Sequence, residues 1–150
     1  MDVLDLIRAE HSRVKTLFLE IESTDDPRKL YDCFNQLYNA LNVHAEAEEQ
    51  IFYQAIRDCQ GTDELVDAAQ RDHEEAKQML EDLASLSPTS VEFKQKIGQL
   101  KQVIQLHVQE EENEMFSQAR ECISQEGREQ LAKEFEAVRS KLQIEITVAS

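Results

Sequence analysis

Two of the chain's four histidines, His44 and His107, each stand four residues before a glutamate, Glu48 and Glu111. Positions four apart lie one above the other on a helix, so each pair offers a nitrogen and an oxygen donor in one direction. The surrounding residues show where that direction points. Stepping back from His44 by threes and fours gives Leu41, Leu37, Phe34 and Leu30, and stepping forward from Glu48 gives Ile51 and Ala55. Around His107 the same rhythm gives Phe93, Ile97, Leu100 and Ile104. Both pairs therefore belong to apolar stripes, where an ionised carboxylate without a positive neighbour is strongly disfavoured. The pattern calls for a cation.

His11 and His73 supply the rest of the set. His11 falls in the stripe Leu4, Ile7, His11, Val14, Phe18, Ile21, and His73 in Val66, Ala69, His73, Ala76, Leu80, Leu83. A lone histidine on an apolar stripe is more often an ordinary core residue than a ligand. Here all four histidines lie on inward stripes, one per helix, with two inward carboxylates in matching register. Four imidazoles and two carboxylates are too rich for one tetrahedral zinc and suit two first-row metals, with carboxylates able to bridge them. Iron is the first choice, with manganese or zinc as lesser occupants. The ligands must be neutral imidazole and ionised carboxylate, so acid is expected to expel the metal.

The elements that carry these residues can be bounded by their caps. The first helix covers about residues 2 to 22. Asp26-Pro27 is a cap followed by proline at the first helical position, opening a second helix expected to run without interruption to Cys59. Gly61 ends that region, and Thr62 or Asp63 caps the third helix. Thr89 with Glu92 reads as a capping box for the fourth. Ser124 caps a fifth, whose stripe is Leu131, Phe135, Val138 and Leu142, with Gly127 weakening its first turn. The chain also repeats: Glu10-His11 matches Asp72-His73, Lys15 matches Lys77, His44 with Glu48-Glu49 matches His107 with Glu111-Glu112, and Cys59 matches Cys122. The expected fold is all-α: an antiparallel up-down four-helix bundle of two pseudo-symmetric hairpins over residues 1–122, plus a C-terminal helix and tail over 123–150 packed on or beside it as part of one domain.

Composition narrows the partners. The formal net charge of −15 opposes nucleic acid and anionic membrane surfaces, while docking to a basic protein, or a homodimer through the C-terminal helix, stays compatible with it. No stretch approaches the length of a membrane span and no leader pattern opens the chain, so a cytoplasmic location is expected. Cys33, Cys59 and Cys122 are odd in number and lack CxxC spacing, which favours reduced thiols buried in helices over a disulfide frame.

The combined pattern of His11, H-A-E-A-E-E at 44–49, D-H-E-E-A-K at 72–77 and H-V-Q-E-E-E at 107–112 resembles the hemerythrin-like HHE cation-binding family over about residues 1–122. The ferritin-like alternative needs a glutamate three residues before histidine, and Arg8, Leu41, Gln70 and Ile104 occupy those places. The resemblance implies a non-haem di-iron centre with an oxo or hydroxo bridge, His11 and His44 on one iron, His73 and His107 on the other, and Glu48 and Glu111 bridging. It also implies reactivity towards dioxygen, peroxide or nitric oxide. Oxygen-carrying members place a fifth histidine where this chain has Lys77, which leaves the second iron more open. Glu114 is the local candidate to fill the gap, although a surface place suits it better, and Tyr53 either donates a hydrogen bond near the bridge or simply packs. Lys15 and Lys77 are expected to pair with carboxylates such as Glu49 or Glu112. Redox enzyme activity is left undecided against an iron or oxygen sensor, an iron store or donor, and a metal-free bundle dimerising through its fifth helix.

Overall fold

A computed structural model describes the backbone of residues 1–149 and the side chains of residues 1–143. Helix α1 (Val3–Glu22) starts at a capping box, Asp2 accepting from the Asp5 amide while the Asp5 carboxylate takes the Asp2 N–H. Helix α2 (Pro27–Ala47) starts at Asp26, with Pro27 in its first turn as expected. It then passes through a π-helical turn (Glu48–Phe52) into α3 (Tyr53–Arg57). The second hairpin repeats the plan: α4 (Asp63–Ala84), α5 (Val91–Glu110), a π-helical turn (Glu111–Met115) and α6 (Phe116–Cys122). Helix α7 (Gln125–Ala149) follows, capped by Ser124, whose hydroxyl accepts from the Gly127 N–H. A Cβ at Gly127 would come within 2.9 Å of the Ile123 side chain, so this glycine provides clearance as well as a weak helical position.

The hairpins α1/α2 and α4/α5 pack side by side, with α1 also against α5 and α2 against α4, which closes the four-helix ring. Helix α7 lies on α1, α2 and the first π turn. Its stripe is used there: Phe135 is fully buried, and Leu131 and Val138 pack on the core beside it. The apolar face expected for a dimer is therefore largely spent within the chain. Two apolar clusters fill the bundle. One, towards the chain start, includes Ile7, Phe52, Tyr53, Phe116 and Phe135. The other includes Phe18, Phe34, Leu37, Leu80 and Phe93. The predicted polar residues fall in the layer between them.

Three local expectations need correction. First, the even-numbered helices are not continuous: each π turn inserts a residue into the helical count, so the buried stripe shifts after it. Phe52, Tyr53 and Ile56 are fully buried, whereas Ile51 and Ala55 are only half-buried. Second, the helix caps differ: Ser90 rather than Thr89 caps α5, and the buried Thr62 hydroxyl donates to the Ile56 and Cys59 carbonyls instead of accepting from α4. Third, Cys59 and Cys122 form a disulfide, with their Cα atoms 5.9 Å apart, and only Cys33 is a free, buried thiol. The pseudo-two-fold axis brings together equivalent positions that lie close to it. These two cysteines are such a pair.

Candidate metal centre

His11 comes from α1, His44 from α2, His73 from α4 and His107 from α5, while Glu48 and Glu111 are the first residues of the two π turns. All six are buried, and the two glutamates almost completely so. Glu111 spans the layer: Oε1 lies 3.0 Å from His11 Nε2 and Oε2 3.4 Å from His107 Nε2. Glu48 Oε1 lies 3.0 Å from His44 Nε2 and 3.2 Å from His73 Nε2. The donors form two overlapping groups, one of His11, His44, Glu48 and Glu111 and the other of Glu48, His73 and His107.

These close approaches are not all hydrogen bonds. His11 Nε2, His44 Nε2, Glu48 Oε2 and Glu111 Oε1 are buried with no hydrogen-bond partner. Polar atoms orphaned in a protein interior are costly, and these four belong to one group of side chains close enough together to share a metal ion. The outer ring nitrogens support this assignment. His11 Nδ1 faces Glu112 at 2.8 Å, His44 Nδ1 faces Glu10 at 2.5 Å, and His107 Nδ1 faces Asp72 at 3.1 Å. An ionised carboxylate only accepts, so each of these Nδ1 atoms carries the proton, and in a neutral ring that leaves the Nε2 lone pair turned inward as a metal ligand requires. His73 Nδ1 has a longer approach to Glu49, 3.6 Å. The outer carboxylates come in two equivalent pairs: Glu10 and Asp72 each precede one histidine and face the other histidine of the same hairpin, while Glu49 and Glu112, next to Glu48 and Glu111, face a histidine of the opposite hairpin.

The carboxylates around the histidines also favour positive charge on them. Burial pulls the imidazolium form of His44 down, but the charge of Glu48 and the hydrogen bond to Glu10 outweigh it and raise its pKa well above the usual value. For His107, burial is likewise outweighed by hydrogen bonds to Asp72 and Glu111, and the pKa rises to about 10. His73 is raised against burial by Glu48 and Glu49. Burial pushes Glu111 up, yet the imidazoles of His107 and His11 beside it hold it well below the ordinary carboxylate range. Positive charge is thus favoured at His44, His73 and His107.

Tyr53 is the fully buried seventh member. Its hydroxyl donates to Glu111 Oε2 at 2.5 Å and lies 3.2 Å from Glu48 Oε1, 3.2 Å from His73 Nε2 and 3.4 Å from His107 Nε2. Burial, followed by the charges of Glu111 and Glu48, raises its pKa well above that of a free tyrosine. Of the two readings of Tyr53, hydrogen bonding at the centre is the one observed. Glu114 is exposed and takes no part. Lys15 and Lys77 are also exposed, and the carboxylates expected to pair with them instead face His73 and His11. Lys77 lines a cavity of about 40 Å³ that also touches all four histidines and is walled by Val14, Leu41, Leu80 and Ile104.

A helical bundle with a buried histidine and glutamate cluster between two apolar cores is the architecture of a metal-binding protein. The chain belongs to the hemerythrin HHE cation-binding domain family, which it matches over residues 2–119. A crystal structure of a hemerythrin HHE cation-binding domain-containing protein from Mycobacterium kansasii superposes with a TM-score of 0.84 at 20% identity, over 95% of this chain and 87% of that one. A protein of Nostoc sp. (strain PCC 7120) described as a DNA nickase is 39% identical over 146 residues, which cover 95% of this chain. The chain spans only 40% of that relative's length. Among the described residues no helix is long and apolar enough to cross a membrane.

Proposed function

We propose that the chain is a non-haem di-iron protein that binds or reacts with a small oxidant. The reading rests on one observation: inward nitrogen and oxygen atoms of four histidines and two glutamates are buried together, half of them without a hydrogen-bond partner, while three of the four histidines are oriented from outside by a hydrogen-bonded carboxylate. His11 and His44 would hold one iron and His73 and His107 the other, with Glu48 and Glu111 between them. The bound metals supply electrons and an open position for dioxygen, peroxide or nitric oxide. The chain's own residues do the rest. The cavity of about 40 Å³ beside the histidines admits only small molecules. Val14, Leu41, Leu80 and Ile104 give it an apolar side, and the Tyr53 hydroxyl holds a proton next to Glu111, between His73 and His107.

Metal content of iron-supplied protein, followed by stopped-flow mixing of the reduced form with oxygen, peroxide and nitric oxide, tests this. We expect iron at both positions and a spectral change with at least one reagent. Iron binding without any such change would remove the oxidant chemistry and leave the second reading, a sensor or iron store. That reading draws support from α7, which is linked to His44 through Phe135 and Glu10 and could pass metal occupancy to a protein partner meeting its outer face. His107→Ala should cost metal affinity about 100-fold or more, given that loss of an outer partner alone costs roughly 10–100-fold. Strand nicking is not carried over from the longer Nostoc relative, because a domain of charge −15 repels phosphate backbones.

A further inference from the structure

The two faces of the centre match in their histidines but differ in what stands behind them. On the face of His11 and His44, each outer carboxylate is itself held by an arginine. Glu10 gives Oε1 to His44 and Oε2 to Arg139 of α7, at 2.9 Å. Glu112 gives Oε2 to His11 and Oε1 to Arg8, at 3.4 Å. On the opposite face, Asp72 accepts from His107 Nδ1 at 3.1 Å, whereas Glu49 brings only its charge, 3.6 Å from a His73 Nδ1 that has no hydrogen-bond partner; among the described residues neither carboxylate has a lysine or arginine partner. The position matching Arg8 is Gln70, which accepts from Arg57 instead. The position matching Tyr53 is Phe116, so the phenol hydroxyl also appears on one face only.

We infer that Arg139 and Arg8 are positioning residues that make the two metal positions electrically unequal, so that His11 and His44 hold the metal of higher reduction potential and His73 and His107 the metal that is oxidised first. The inference rests on the di-iron reading above. A carboxylate that accepts from imidazole Nδ1–H draws the proton outward and strengthens donation at Nε2. An arginine on the same carboxylate occupies its second oxygen and offsets its charge, which weakens that pull. Weaker donation and nearby positive charge both favour the reduced metal. The unshielded pair, Asp72 and Glu49, favours the oxidised one. The first electron given to an outer-sphere one-electron acceptor therefore leaves the His73/His107 side, and no bond or proton need move for that step. Arg139 lies on a helix outside the four-helix ring, so α7 is given a part in the centre's electronics.

The test is a redox titration of the iron-loaded protein, with iron content and far-ultraviolet circular dichroism checked for each variant. The wild type should show two separated one-electron midpoints. Arg139→Gln should lower the upper midpoint and narrow the gap, Arg139→Lys should restore it, and Glu10→Gln should move the upper midpoint the opposite way. Asp72→Asn should raise the lower midpoint instead. Arg13→Gln removes the same charge from the same groove, of about 690 Å³, without touching Glu10, and should leave the gap unchanged. Opposite signs for Arg139→Gln and Glu10→Gln cannot come from simple loosening of the fold. If Arg139→Gln moves both midpoints equally, or no more than Arg13→Gln does, the inference fails while the di-iron reading stands. If the wild type binds no iron, both fall.

Discussion

The halves of this bundle are copies in their ligands and different in their supports. The first face, His11 with His44, is backed by Arg8, Arg139 and the edge of Phe135, whose ring centre lies 6.4 Å from that of His44. The second face, His73 with His107, has bare outer carboxylates, and Tyr53 stacks on His73 and reaches both histidines with its hydroxyl. Duplication is enough to make a symmetric pair of sites. Difference arises from residues outside the repeated pattern, above all from the added helix α7, which packs chiefly on α1 and α2.

The largest expected effect is that of pH on metal loading. His44, His73 and His107 have raised pKa values in the metal-free fold, so each binds protons that a metal must displace. Affinity should rise by up to about tenfold per pH unit for each displaced proton. The metal-free fold should behave in the opposite way. Its stability from these groups is complete below the usual histidine value and is lost as pH climbs through the raised ones, about 10 for His107. Titration calorimetry in buffers of different ionisation heat, with urea unfolding across the same range, checks both signs. Equal slopes for the two would break the comparison.

Phe135→Ala should destabilise by about 3–5 kcal/mol, the cost of emptying a buried aromatic site, and it should release iron from the first face before the second. Denaturant unfolding with metal analysis reads both. Reducing the Cys59–Cys122 disulfide should cost about 2–4 kcal/mol and, because it ties the two halves together, should affect both faces alike. A urea midpoint unchanged by dithiothreitol would count against the bond. Tyr53→Phe leaves Glu111 Oε2 without its donor, should cost about 1–3 kcal/mol, and should perturb the second face more than the first. The smallest effect belongs to Asp2 and Arg128, which tie the start of α7 to α1 at 3.0 Å. Burial raises the Asp2 carboxyl, but bonds from Arg128 and the Asp5 amide bring its pKa below the ordinary value. Its contribution is therefore present above that value and lost as pH falls through the lowered one. Arg128→Ala should remove this acid limb at a cost of roughly 1 kcal/mol.

Periodicity exposed much of this arrangement in advance because every residue in it obeys a helical count. The six inward side chains, the two hairpins and the packed fifth stripe could all be read that way. Other features fall outside that count. A π turn shifts the count by one residue without Gly or Pro to mark it, so an unbroken helical count draws the stripe after Glu48 one residue out, through Ile51 and Ala55 instead of Phe52, Tyr53 and Ile56. Cys59 and Cys122 align in the repeat, but their number and spacing alone favour free thiols; what pairs them is the axis that joins the halves. The outer carboxylates align in the same way, as Glu10 with Asp72 and Glu49 with Glu112, but the alignment does not show that each faces a histidine on another helix.

The bond between Cys59 and Cys122 closes a covalent ring around α4 and α5, and so around half of the histidines. A protease that cuts anywhere inside that ring leaves one molecule rather than two. The cut chain should run as an intact species until a thiol reagent opens it, and the severed hairpin stays tethered beside its partner long enough to close over the centre again.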